Sequence, residues 1–170
     1  MDVEKSVLVP HPAGRMFDVI EAAEHYPAFL PWCAGTTILE RDASVVRAII
    51  AIDWRGVRFS LTTRNPKRRP EWMAIHLEDG PFRRFEGEWR LRPLSTAGCR
   101  IDFRLGYDFD SAVMRRIARP VLDRIADALV DAFVARADRA PARGAATQGA
   151  ADSTAVPPNS TDPDDPTTGG

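Results

Sequence analysis

The sequence predicts an α+β fold in which a curved antiparallel sheet wraps around one long C-terminal helix. Three observations carry this: a single strand followed by a short helical pattern, a run of strand-like segments with hairpin-length breaks, and a terminal stretch of apolar residues spaced by three and four. At 170 residues and 44% hydrophobic composition, the chain can bury one sizeable core rather than two.

Val3, Lys5, Val7 and Val9 alternate with polar neighbours, which predicts an opening strand that Pro10 ends. Pro12 suits a first helical position, and Met16, Phe17, Ile20 and Ala23 fall at helical spacing, so a helix is expected over Ala13 to Ala23, somewhat weakened by Gly14. Pro27 and Pro31 forbid its simple continuation. The next stretch, EHYPAFLPWC from Glu24 to Cys33, therefore reads as a second short helical turn or an ordered loop. Its aromatic residues suit a buried plug and the lip of an apolar cavity equally well.

Strands are then expected over Thr37 to Arg41, Ser44 to Trp54, Val57 to Arg64, Glu71 to Glu78, Phe82 to Arg92 and Cys99 to Phe109. The breaks at Asp42-Ala43, Arg55-Gly56, Pro66 to Pro70, Asp79-Gly80-Pro81 and Leu94 to Gly98 are short enough for a meander. In the last two strands, Phe85, Gly87, Trp89 and Leu91 share one face, and so do Ile101, Phe103, Leu105 and Tyr107. Placing Trp89 opposite Phe103 sets Arg90 against Asp102, Glu88 against Arg104 and Arg84 against Asp108, which makes the other face a solvated, charge-paired one.

Asp110-Ser111 offers an N-cap for the final helix, whose expected apolar face is Met114, Ile117, Val121, Ile125, Leu129 and Phe133, ending near Asp138. Pro120 should bend that helix or mark a restart. A sheet curved around such a helix leaves space between the two, so a cavity is expected.

From Pro141 the sequence is rich in Pro, Gly, Thr and Asp, with Val156 as its only large aliphatic residue, and residues 140–170 read as a disordered tail behind a folded unit of residues 1–139. The formal net charge of −1 gives no global pull toward nucleic acid, DNA included, or an anionic membrane surface. Cys33 and Cys99 lie far apart without a metal-ligand pattern, and no segment reads as a signal peptide or a membrane span. A cytoplasmic protein is expected. The histidines His11, His25 and His76 sit in no hydrolase or metal motif, and the sequence lacks a phosphate-binding glycine loop, so no catalytic residue and no required cofactor are assigned. Tyr107 and Asp108 are the residues a cyclase reading would use.

Tyr26-Pro27, Phe29-Leu30-Pro31-Trp32-Cys33, Asp79-Gly80-Pro81-Phe82, Glu88-Trp89-Arg90 and Asp131-Ala132-Phe133, in that order, closely resemble the coenzyme Q-binding START-like family, over about residues 1 to 139. That family also takes in bacterial ribosome-association toxins and proteins labelled oligoketide cyclase or lipid transport protein. The chain departs from its pattern at Ala22, where an acidic residue is frequent, at Arg119, where a Gly precedes the proline, and in lacking a Tyr-Gly ending after Arg139. The resemblance implies a helix-grip fold whose interior holds a lipophilic molecule, with ubiquinone as the expected bound ligand.

On that basis the expected lining is Tyr26, Phe29, Trp32, Phe82, Trp89, Phe103, Leu105, Tyr107, Ile117, Val121 and Ile125, with Tyr26 to Trp32 as one wall of the mouth facing Phe82 and the Pro120 region. Tyr26, His25 and the indoles of Trp32 and Trp89 are the candidate head-group donors. Burying one five-carbon isoprene unit stabilises by roughly 3 to 4 kcal/mol against water and almost nothing against a bilayer. A non-catalytic quinone or lipid carrier that touches the inner membrane surface transiently is therefore the leading expectation. The alternative is a ribosomal partner that uses Arg64, Lys67-Arg68-Arg69 and Arg83-Arg84, a set that also reads as solvated turns.

Overall fold

The structure, a computed structural model, describes residues 2–139, and the tail expected over 140–170 lies outside the described residues. The elements run β1 (Asp2–Val9), α1 (Ala13–Glu21), a 3₁₀ turn (Ala23–His25), α2 (Tyr26–Phe29), β2 (Cys33–Arg41), β3 (Val45–Trp54), β4 (Val57–Arg68), β5 (Trp72–Asp79), β6 (Phe82–Pro93), β7 (Cys99–Phe109) and α3 (Ala112–Arg139). The seven strands form one antiparallel sheet in the order β1-β7-β6-β5-β4-β3-β2.

Local chemistry accounts for most boundaries. Arg55 and Gly56 both take positive φ, 53° and 81°, which is the two-residue turn that lets β3 and β4 keep their twist. Ser111 caps α3 by accepting the Met114 amide at 3.0 Å. The β6–β7 register places Trp89 opposite Phe103, Arg90 opposite Asp102, Glu88 opposite Arg104 and Arg84 opposite Asp108, as expected from the face pattern.

Three boundaries differ from expectation by more than one residue. The first helix stops at Glu21, and the chain turns twice more, through the 3₁₀ turn and α2. β2 starts at Cys33 rather than Thr37, because irregularities between Cys33 and Gly35 let small residues join the ladder without alternating. β4 continues to Arg68 through Pro66, whose position falls between the Arg64–His76 and Lys67–Met73 pairs and pairs with Val45 on the other side.

α3 runs through Pro120 without a restart. Its inward residues are Ala118, Val121, Leu122, Ile125, Ala126, Val130, Phe133 and Ala137. The expected stripe departs at its second position: Met114 packs on the core half-buried, but Ala118 takes the next inward place and Ile117 is 54% exposed. Alanines at 118, 126 and 137 leave room for the helix to lie close on the sheet. Lys5 at the Asp127 carbonyl, Arg15 at the Ala137 carbonyl, and His11 to Asp138 at 2.5 Å tie α3 to β1 and to the chain around α1.

Candidate functional site

The sheet presents alternate residues to α3, so the inner face follows from strand periodicity alone. Trp89, Leu91, Ile101, Phe103, Leu105 and Tyr107 are all buried there, on β6 and β7. Trp89 lies 4.2 Å from Phe103 between ring centroids and 5.5 Å from Phe133 of α3. Tyr26 and Phe29 complete this group at 5.3 and 5.8 Å from Phe133.

A second aromatic group sits toward the carboxyl end of β7. Phe82 stacks on Phe109 at 4.7 Å and meets Phe59 at 5.7 Å and Phe85 at 4.9 Å. The sequence reading put Tyr26–Trp32 opposite Phe82 and Pro120. In the fold, Tyr26 and Phe29 instead face Phe133, thirteen residues beyond Pro120 on α3. The helix runs antiparallel to β7, so its two ends serve different aromatic groups. Trp32 stands apart from both rings, at the start of β2, where its carbonyl accepts the Asp53 amide at 3.0 Å.

Of the eleven expected lining residues, Tyr26, Trp32, Phe82, Trp89, Phe103, Leu105, Tyr107, Val121 and Ile125 are buried within one apolar core, and Phe29 packs on it half-buried. Ile117 does not join them. Tyr26 is a poor head-group donor as it stands, because its hydroxyl donates to the Ile20 carbonyl. Burial raises its pKa above the ordinary tyrosine value, with the charges of Glu21 and Glu24 adding to the effect. His25 is exposed on the rim of another recess.

The sequence reading missed the polar link that crosses the apolar layer. The Tyr107 hydroxyl donates to Asp123 of α3. Burial raises the Tyr107 pKa, and the bond to Asp123 raises it further by favouring the protonated phenol. An aspartate on the inward flank of α3, one turn after Pro120, was the available signal. Burial also raises the thiol pKa of Cys33 and Cys99, which keeps both poor nucleophiles.

The basic turn is largely neutralised. Lys67 pairs with Glu21 at 2.8 Å, Arg69 with Asp18 at 2.9 Å and Arg64 with Glu40 at 3.4 Å, while Arg41 reaches Glu21 and Glu24 at 2.9 and 2.6 Å. These pairs fasten α1 and the 3₁₀ turn to β2 and β4. They also border a recess of about 740 Å³ on the outer side of α1, lined by Arg15, Asp18, Glu24, His25, Arg41 and Arg136 among others. Among the described residues, no group of three or more His, Cys, Asp or Glu is placed to hold a metal ion, and no helix is long and apolar enough to cross a membrane.

A curved seven-stranded sheet closed by a long C-terminal helix over an aromatic interior defines the helix-grip class, in agreement with the START-like resemblance. The chain belongs to the polyketide cyclase / dehydrase and lipid transport family, which it matches over residues 9–134. It is 32% identical over 135 residues to the ribosome association toxin RatA of Pseudomonas aeruginosa, covering 79% of this chain and 94% of that one. A more distant relative, 24% identical over 134 residues, is the mitochondrial coenzyme Q-binding protein COQ10 homolog B of Xenopus laevis, covering 74% of this chain and 53% of the relative. Among solved structures, the Zhui aromatase/cyclase from Streptomyces sp. R1128 superposes with a TM-score of 0.72 at 21% identity, covering 82% of this chain and 94% of that one. That likeness shows the fold alone.

Proposed function

We propose that the protein holds a lipophilic ligand of the isoprenoid quinone class between the inner sheet face and α3, and carries it without changing it chemically. The observation that supports this most is the apolar layer of Phe82, Trp89, Phe103, Leu105, Val121 and Ile125, crossed by a side-chain hydrogen bond between Tyr107 and Asp123. The layer is closed by side chains, so entry requires α3 to shift from the sheet. Val113 and Ile117 are 67% and 54% exposed, so the first turns of α3 leave part of their apolar surface uncovered, with Arg115 at Asp108 as their polar tie to β7. Pro120 removes one backbone bond beside them.

Ligand exchange then needs three acts from this chain. The amino-terminal turns of α3 move, the Tyr107–Asp123 bond breaks, and the freed phenol donates to a carbonyl oxygen of the head group while the isoprenoid tail covers Trp89 and Phe103. Because burying such a tail is nearly neutral against a bilayer, the layer can take a ligand from a membrane and return it. A transient contact with the inner membrane surface and a cytoplasmic location belong to this reading. Organic extraction of the purified protein, followed by mass spectrometry, tests it: a quinone at a stoichiometric level supports it, and an extract holding no isoprenoid counts against it.

A second reading is favoured by the likeness to the Pseudomonas ribosome association toxin, which spans nearly the whole of that protein. In it, the protein binds ribosomal particles. Sucrose-gradient profiles of ribosomal subunits with and without added protein distinguish the two readings.

A further inference from the structure

The outer face of the sheet carries a feature that the lipid reading does not use. Three recesses of about 360, 530 and 700 Å³ lie on it, and Arg90 borders all three, so they form one trough across β1, β7, β6 and β5. Trp72 borders two of them. The ladder puts Arg92 directly opposite Arg100 and Trp72 beside both Arg90 and Arg68.

Like charges directly opposed on neighbouring strands destabilise a sheet unless a partner offsets them. Arg100 is offset by Asp102 at 3.0 Å, and Arg90 and Arg104 both bind Glu88. Arg92 and Arg68 are exposed, and neither guanidinium forms an ion pair or a hydrogen bond among the described residues. Glu88 also accepts the Trp72 indole N–H at 2.9 Å, which fixes the ring between Arg68 and Arg90.

We propose that this trough binds single-stranded RNA, with Arg68, Arg92 and Arg100 on the phosphates and Trp72 as a stacking platform for a base. A sheet surface that combines cations with an aromatic ring is the chemistry such a strand needs. A trough also suits an extended polymer better than a small anion, since its cations are spread over three strands. The proposal deepens the ribosomal reading by naming the surface and the chemistry, and it leaves the interior site untouched.

The test uses the full chain and a short labelled single-stranded RNA of mixed sequence, with anisotropy read across a salt series. The variant Arg68→Ala/Arg92→Ala/Arg100→Ala should bind at least about tenfold more weakly and show a salt slope shallower by about two, as expected for three lost phosphate contacts. Arg116→Ala/Arg124→Ala, whose positions border none of the three recesses, should bind as wild type does. Equal binding by the triple variant, or no binding by the wild type, overturns the proposal. So does a loss seen only with phosphatidylglycerol vesicles, which would assign the face to lipid head groups. Sedimentation with ribosomal subunits separates the two claims. If wild type and triple variant both sediment with the subunits and to the same extent, the surface is wrong and the ribosomal reading stands. If RNA binding falls as expected but neither protein sediments, the surface stands and the ribosomal reading falls.

Discussion

Tyr107 of β7 and Asp123 of α3 are joined by a hydrogen bond across the otherwise apolar layer between sheet and helix. Removing the phenol oxygen with Tyr107→Phe leaves Asp123 partly solvated, so the cost should be about 1–2 kcal/mol, below the usual value for a fully buried bond to a charged group. Thermal melts should show a Tm lower by several degrees, and stopped-flow measurements should show faster quinone uptake. An unchanged Tm would mean that the bond holds nothing.

The EHYPAFLPWC stretch is neither all plug nor all lip, and its residues differ along its length. Phe29 is half-buried between Tyr26 and Phe133, with the Arg136 guanidinium 5.2 Å from its ring, so Phe29→Ala should cost about 2 kcal/mol. Trp32 is buried at the head of β2, and Trp32→Ala should cost about 3–5 kcal/mol. Urea denaturation of the two variants checks the order. The reverse order would make Phe29 the plug.

Most of this fold was legible because the signals are short-range. Alternation fixed the inner faces of β6 and β7, and with them a register correct at Trp89 and Phe103. What escaped were features set by distant packing. Whether Ala118 or Ile117 faces inward depends on how closely α3 lies on the sheet, not on the hydrophobicity of either residue. Placing Tyr26 against Phe133 rather than Pro120 required the direction of α3 along β7. The basic turn looked free because its carboxylate partners, Asp18 and Glu21, are about fifty residues earlier in the chain.

On the outer sheet, Arg104 is 63% exposed and pairs with Glu88 at 3.0 Å, so Arg104→Ala should cost less than about 1 kcal/mol. Glu88→Ala should cost more, because Trp72 and Arg90 lose a partner as well. A double-mutant cycle between Glu88 and Arg104 measures the pair itself. A coupling well above 1 kcal/mol would show that this face is less solvated than its exposure indicates.

Acid should destabilise the protein over a defined window. Burial pushes the Glu24 and Glu88 carboxyls up, but bonds from Arg41 and from Arg104 and Trp72 outweigh it and hold them below 4.5. The Ser6 hydroxyl, with Arg100, holds Asp102 below 3.8. Since these folded-state values are depressed, the unfolded chain takes up protons first. The stabilisation is complete above about pH 5 and is lost as pH falls through the folded values. Denaturation midpoints should be flat from pH 7 to about pH 5 and fall below that; a midpoint that rises in acid would contradict these assignments.

The central claim is that the ligand lies between the sheet and α3. A photoreactive isoprenoid quinone, cross-linked to the protein and located by peptide mass spectrometry, tests it most directly. The account predicts adducts on the inner face, at residues such as Phe82, Leu105, Val121 and Ile125. Adducts confined to the recess outside α1, at Val19, Ala22 or His25, or on the outer sheet face near Trp72, would contradict it.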